Sequence, residues 1–189
     1  MYHSIKDFIT TQIDPNFNKD DELPFPTSFK TFSKNSIITH YHHVEQNAYF
    51  LVNGIIRISM QRDDEERILE FFFPNSFFSS YTSFLTQLPS DVEIQALTDC
   101  EVEIIHFSDL QKAYQTSLLA NKLGRIVAEH YYIWKTKREK DFLLKSATER
   151  YNELVAKRPE LVQQIPVHMV AKYLGIKPES LSRIRKEIS

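Results

Sequence analysis

The sequence predicts an α+β protein: an N-terminal β jelly roll, then one long helix, then a C-terminal helix-turn-helix. Three observations carry this. From about residue 28 to 107, short runs rich in Ile, Val, Phe and Tyr alternate with turn residues. Residues 117–144 then hold no proline, and their apolar positions recur at helical spacing. Finally, VAKYLGIKPESLSRIRKEIS, residues 170–189, sets a glycine between two short amphipathic segments. The expected boundaries are 1–115 for the jelly roll, 116–144 for the long helix and 145–189 for the helix-turn-helix.

In chain order, IKDFITTQI reads as a short helix, with a loop through Asp14-Pro15. The two prolines of DELPFPTSF mark a loop or the entry to an edge strand. The strands are NSIITHYHHV, NAYFLV, GIIRISMQ, RILEFFF, DVEIQAL and CEVEIIHF. Asn53-Gly54, between the second and third, supplies the positive φ of a tight hairpin turn, and QRDDEER fits a second, charged hairpin loop. Many short strands at near-regular spacing close into a sandwich or barrel of the jelly-roll type.

Ser108-Asp109 can cap a short helix. In the long helix Leu119, Leu123, Ile126, His130, Ile133 and Lys137 form a seam spaced by four and three residues alternately. About 28 residues of helix run roughly 40 Å, more than so small a domain covers, so a partner helix in a homodimer is expected along Leu119, Leu123, Ile126, His130 and Ile133. His130 is either a packed neutral side chain or a protonation-sensitive contact. Ser146-Ala-Thr-Glu149 is a capping box that opens ERYNELVAK, which stops at Arg158-Pro159. Pro166 begins VHMVAKYL, which ends at Gly175, and Pro178 begins PESLSRIRKEI.

Around Gly175, the positions Val170, Ala171, Leu174, Ile176, Leu181 and Ile184 have the spacing of a helix-turn-helix. The alanine lets two helices approach, and the glycine takes the left-handed conformation between them. The outer face of the last helix then carries Lys177, Glu179, Ser180, Ser182, Arg183 and Lys186. Charge is split along the chain. Residues 1–134 hold 10 Lys/Arg against 18 Asp/Glu, a balance of −8, while residues 135–189 hold 13 against 7, a balance of +6. A basic C-terminal part suits a polyanion.

These features in this order resemble the Crp/Fnr family of bacterial transcription regulators. The resemblance covers nearly the whole chain and is most specific in ERYNELVAKRPEL and IPVHMVAKYLGIKPESLSRIRKE. It implies a cyclic-nucleotide-binding-like sensor domain and a homodimer on palindromic double-stranded DNA, with RNA polymerase as a possible partner. The family's recognition helix commonly carries Glu-x-x-Ser-Arg, matched here by Glu179, Ser182 and Arg183, which would read bases. Lys177, Ser180, Arg185 and Lys186 would hold phosphates. The family usually continues into a two-stranded wing, whereas this sequence ends at Ser189, so a full wing is not expected.

In members that bind cyclic nucleotides, a cassette offers a glycine-rich turn, a glutamate for the ribose and an arginine for the phosphate. Counting back from ALTDCEV, Ser90 falls at the arginine's place, Ser80 at the glutamate's, and Asn75 and Ser79 replace glycines. A phosphate needs exposed N–H groups and a cationic fork, so loss of cyclic-nucleotide binding is expected. A sensor with an atypical cassette is the alternative. The aromatic run Phe71, Phe72, Phe73, Phe77, Phe78, Tyr81 and Phe84 is either core or an apolar effector pocket, for which Phe73, Phe77, Phe78, Ser80, Tyr81 and Ser90 are the candidates.

Other chemistries are narrower. One cysteine, Cys100, excludes an intrachain disulfide framework and an all-cysteine cluster, and a buried structural thiol is expected in its strand. In THYHHVE, His40 and His42 would share one strand face as the metal candidates, giving a second reading as a metal-dependent cupin-like enzyme. A polar rim is the plainer account. No cofactor and no enzymatic activity are expected. The longest apolar runs are a few residues, which argues against a membrane span, and MYHSIKDFITTQ lacks a signal-type apolar stretch. The expectation is a reduced, cytoplasmic protein.

Overall fold

The computed structural model describes residues 4–18, 20–63 and 65–188. The chain divides into two compact units, Met1–Ile58 with Phe71–Glu129, and Ser59–Glu70 with His130–Ser189.

The first unit holds most of two four-stranded sheets. One has the order β1 (Ser28–Phe32), β8 (Cys100–His106), β3 (Asn47–Asn53), β6 (Ser76–Phe78). The other has the order β2 (Ile37–Thr39), β7 (Glu93–Ala96), β4 (Ile56–Arg62), β5 (Glu65–Phe72), with β5 running into the second unit. Strand β8 lies between β1 and β3 and pairs antiparallel with both, Lys30 and Leu51 each facing Val102. Both of its faces are buried. Cys100 and Val102 lie on one, and Glu103 and Ile105 on the other, as period-two alternation requires. The Glu103–Ile105 face is covered by helices α1 (Ile5–Gln12), α3 (Phe107–Thr116) and the start of α4 (Leu118–Leu144). Ile9, Phe50, Ile105, Leu110, Ala120 and Leu123 share one core there.

Helix α1 is capped at Ser4, whose hydroxyl accepts the Asp7 amide at 3.2 Å. Its first amide, on Ile5, donates to the Glu103 carboxylate at 2.7 Å. A buried carboxylate at a helix N-terminus meets the positive end of the dipole and satisfies an otherwise orphaned donor. Cys100 is buried and free, as its strand position led one to expect.

Three local expectations change. Asn53-Gly54 is not a hairpin turn, because β3 and β4 belong to different sheets. Only Gly54 has positive φ, at 98°, so the two-residue turn with both residues left-handed does not form. The glycine is there for space as well as for φ. A Cβ on it would lie 2.5 Å from Cys100 Sγ and 2.6 Å from the Asp99 carbonyl oxygen. Strand β2 ends at Thr39, and His40–Val44 turn away, with His42 at φ 65° and its amide bonded to the Ser90 carbonyl at 2.8 Å. The charged loop in QRDDEER does join neighbouring strands, β4 and β5. Finally, His106 rather than Ser108 caps α3, its ring accepting the Ser108 amide.

In the second unit α4 continues to Leu144, followed by α5 (Ala147–Lys157), α6 (Pro159–Gln164), α7 (Val167–Leu174) and α8 (Pro178–Ile188). The capping box at Ser146 and Glu149 forms as expected. The sequence reading stopped at Arg158-Pro159 and missed α6, where Pro159 does not end a helix but opens the next, its fixed φ suiting a first turn.

Gly54→Ala is expected to lower the stability of the protein by about 1–3 kcal/mol, from left-handed strain and overpacking together. The check is the urea midpoint, and an unchanged midpoint would show that the turn can move away from Asp99.

Candidate functional site

The strongest sequence signal lies in the second unit. Helix α7 ends on Gly175, at φ 70° and ψ 30°, and the Ile176 amide reaches back to the Ala171 carbonyl at 3.0 Å. Val170, Ala171, Leu174, Leu181 and Ile184 are all buried, Ala171 completely, and Ile176 is half-buried. The apolar spacing is therefore a packed seam between two helices joined by a left-handed residue. On α8 and the turn before it, Lys177, Glu179, Ser182, Arg183, Arg185 and Lys186 are exposed, and Ser180 is half-buried.

Sequence reasoning missed what anchors this helix pair. Glu66, Ile68 and Glu70 alternate on one face of β5, and each meets the helices of its own unit. Lys172 donates to Glu66 at 2.8 Å, and Arg158 to Glu70 at 2.5 Å. The Tyr173 hydroxyl donates to Glu70 at 3.4 Å. Arg138 donates to the carbonyls of Ile68 at 3.3 Å and Tyr173 at 2.9 Å. Burial and then the neighbouring Glu70 push the Tyr173 phenol up to about 12. Burial opposes the charge of Arg158, but Glu70 outweighs it and holds the guanidinium above its ordinary value. The signal available in the sequence was the i, i+2, i+4 pattern of two acids about an isoleucine.

A second network ties α4 to α5. Glu153 accepts from Lys137 at 2.9 Å, from Lys157 at 2.6 Å and from Lys145, while Asp141 pairs with Lys137 and Lys145. Hydrogen bonds from Lys137, Lys145 and Lys157 hold the Glu153 carboxyl far below the carboxylate range.

In the first unit the residues of the expected cassette come together. Ser80 and Ser90 are both buried, their hydroxyls 2.7 Å apart, and Ser90 also donates to the Val92 carbonyl at 2.7 Å. Ser80 precedes helix α2 (Tyr81–Thr86), which the sequence reading did not contain, nor did it contain β6. Asn75 does take a glycine-like conformation, at φ 74°. Ser79 donates to the Asn47 carbonyl at 2.9 Å. Residues 68–111 contain neither lysine nor arginine, and no glycine falls between Gly54 and Gly124.

A buried acid stands nearby. Glu45 accepts from Thr39, from the Asn47 amide at 2.9 Å and from the Tyr49 hydroxyl at 3.3 Å, and its own amide donates to Ser83 at 3.0 Å. Burial pushes its carboxyl up despite those three donors, and burial with the adjacent Glu45 pushes the Tyr49 phenol up too. The aromatic run divides between two faces. Phe77 packs edge-on to Phe8 at 5.2 Å and tilted on Phe50 at 4.9 Å, whereas Phe78 stacks on Tyr49 at 5.0 Å. Phe73 and Tyr81 are half-buried.

His40 and His42 do not share a strand face, because both lie in the turn after β2 and are exposed. His40 instead neighbours His43, their rings 5.5 Å apart. Among the described residues no group of three His, Cys, Asp or Glu side chains is placed to hold a metal ion. Of the long-helix seam, Leu119, Leu123 and Ile126 lie against the chain's own core, while His130 and Ile133 are exposed, with Tyr132 beside them. Among the described residues no helix is long and apolar enough to cross a membrane.

Residues 29–117 match the cyclic nucleotide-binding domain family. No curated protein sequence matches the chain. Among solved structures, FixK2 from Bradyrhizobium japonicum is 18% identical with a TM-score of 0.71, over 86% of this chain and 84% of that one. The c-di-GMP responsive global regulator CLP of Xanthomonas campestris is 19% identical with a TM-score of 0.65, over 86% of each chain. A protein assigned to the Crp/Fnr family from Eubacterium rectale is 16% identical with a TM-score of 0.67, over 85% of this chain and 77% of that one. The resemblance read from the sequence is thus borne out in the fold: residues 29–117 match the cyclic nucleotide-binding domain family, and the chain shares its fold with these solved structures.

Two expectations follow. Glu70→Ala removes the buried partner of Arg158, leaving Glu160 at 3.7 Å, and should cost about 3 kcal/mol in denaturant unfolding; a loss typical of a surface pair would mean that water replaces the carboxylate. The raised carboxyl of Glu45 contributes stability that is complete below its ordinary value of 4.5 and lost as pH rises through its folded value. The stability of Glu45→Gln relative to the parent should therefore rise between pH 4.5 and neutrality, and parallel profiles across that window would remove Glu45 as their cause.

Proposed function

We propose that the protein is a sequence-specific DNA-binding transcription regulator of the Crp/Fnr type, acting as a homodimer on a palindromic site. The observation that carries this is the α7–Gly175–α8 unit, whose buried seam leaves Glu179, Ser182 and Arg183 exposed along one helix. A recognition helix of this kind enters the major groove. There Arg183 can bond both guanine acceptors and Glu179 can accept from a cytosine amine. Lys177, Ser180, Arg185 and Lys186 hold phosphates and set the register. The dimer forms along the part of α4 that the chain's own core leaves open, where Tyr132 and Ile133 are exposed. RNA polymerase is the further partner that such a regulator implies.

In this reading the sensor domain does not bind cyclic nucleotides. Where a phosphate would need a cation and bare amides, Ser80 and Ser90 bond to each other and no lysine or arginine lies within residues 68–111. Any effector of this domain is a neutral molecule.

Fluorescence anisotropy with genomic DNA fragments tests the proposal. Arg183→Ala should relax discrimination at one base pair by about 1–3 kcal/mol. Lys186→Ala should weaken all fragments alike and lower the salt slope by about one. Binding that is indifferent to sequence and unchanged by Arg183→Ala would overturn it.

A further inference from the structure

The second unit holds a half-open cavity of about 240 Å³ between the end of α4, α5 and α7. Its apolar wall is Trp134, Phe142, Leu154 and Leu174. Charged side chains also reach it, and most are already neutralised. Lys137 and Lys157 bind Glu153, and Arg158 binds Glu70. Arg138 and Arg150 differ. Among the described residues neither forms an ion pair with a carboxylate, and both donate to main-chain carbonyls, Arg138 to Ile68 and Tyr173, Arg150 to Lys145 and Leu174. Their guanidiniums lie 4.8 and 4.6 Å from the centroid of the same ring, that of Phe142. The Arg150 Nε atom is buried and has no hydrogen-bond acceptor.

Two like charges gathered about one aromatic ring repel each other, and beyond the carbonyl dipoles only Asp141, itself paired with Lys137 and Lys145, acts on Arg150 in compensation. Burial, and then Arg138, push the Arg150 guanidinium below its ordinary value. A buried donor without an acceptor calls for a partner. A carboxylate meets both needs, since it neutralises the pair and accepts in the plane of a guanidinium. Size narrows the class. A cavity of about 150 Å³ lodges benzene, so this one takes a substituted aromatic acid.

We infer that this cavity is a binding site for a small aromatic carboxylate, with its acid group between Arg138 and Arg150 and its ring against Trp134 and Phe142. Phe142 also touches the turn of the helix pair: a Cβ placed on Gly175 would lie 3.0 Å from its ring. An occupant that fixes Phe142 therefore bears on the segment joining α7 to α8. This site is distinct from the sensor cassette and, unlike it, gathers cationic side chains.

Trp134 is the single tryptophan of the chain, so its fluorescence reports the cavity directly. Titration of the full chain with 4-nitrobenzoate should quench it saturably, and at least about tenfold more tightly than 4-nitrobenzamide, the neutral match. Arg138→Gln and Arg150→Gln should each weaken the acid by about tenfold and leave the amide unchanged. Equal affinity for acid and amide, quenching that never saturates, or acid binding unaltered in both variants would overturn the inference. The comparison on the unsubstituted protein decides even if a variant fails to fold. No DNA is present, so the result is independent of the regulator proposal.

Discussion

Strand β8 has no face turned to water, and the first unit is arranged around that constraint. A strand between two others, buried on both sides, must carry apolar residues at both parities or find partners for any that are polar. Cys100 and Val102 meet the requirement on one side and Ile105 on the other. Glu103 breaks the pattern, and α1 exists in the position that satisfies it: the Ile5 amide is the partner the buried carboxylate needs. The helix then supplies Ile5, Phe8 and Ile9 to the core shared with α3 and α4. A single acid in a strand thus places a helix nearly a hundred residues away in sequence.

Much of this was legible because it depends on short-range periodicity. The strands, the long helix, the capping box at Ser146 and the seam about Gly175 all repeat at two or 3.6 residues, and local patterns of that kind survive folding. What was missed depends on partners distant in the chain. Asn53-Gly54 has the composition of a hairpin, yet its conformation answers to Asp99 and Cys100 in another strand. His40 and His42 continue an apolar-looking strand, but bonds to the segment around Ser90 end it at Thr39. The acids of β5 read as a solvated face until Lys172, Arg158 and Tyr173 are brought to them. The candidate site was readable on α8, where one helix carries it, and unreadable in the cavity at Phe142, which needs three.

The two charge patterns of the molecule are complementary. In the first unit the Ser80 and Ser90 hydroxyls bond to each other, near a carboxyl that burial pushes towards neutrality. The second unit concentrates cations; its acids pair with Lys137, Lys145 and Lys157, while Arg138 and Arg150 donate to carbonyls beside the Phe142 ring. Lysine and arginine are absent from residues 68–111 at one end of this contrast and concentrated in residues 135–189 at the other.

Two of the ties from β5 to the helices of its unit respond differently to their surroundings. Lys172 and Glu66 are partly exposed, their side chains 39% and 26% accessible, so dissolved ions screen the pair. Glu70 is buried, 6% accessible, and its bond to Arg158 is largely shielded from them. Rising ionic strength therefore weakens the Lys172–Glu66 pair more than the Arg158–Glu70 pair. The bonds of Glu70 to Arg158 and Tyr173, and of Arg138 to the Ile68 carbonyl, then carry more of the hold on β5. Dissolved salt thus acts on α7 at Lys172 before it reaches the junction of α5 and α6 at Arg158.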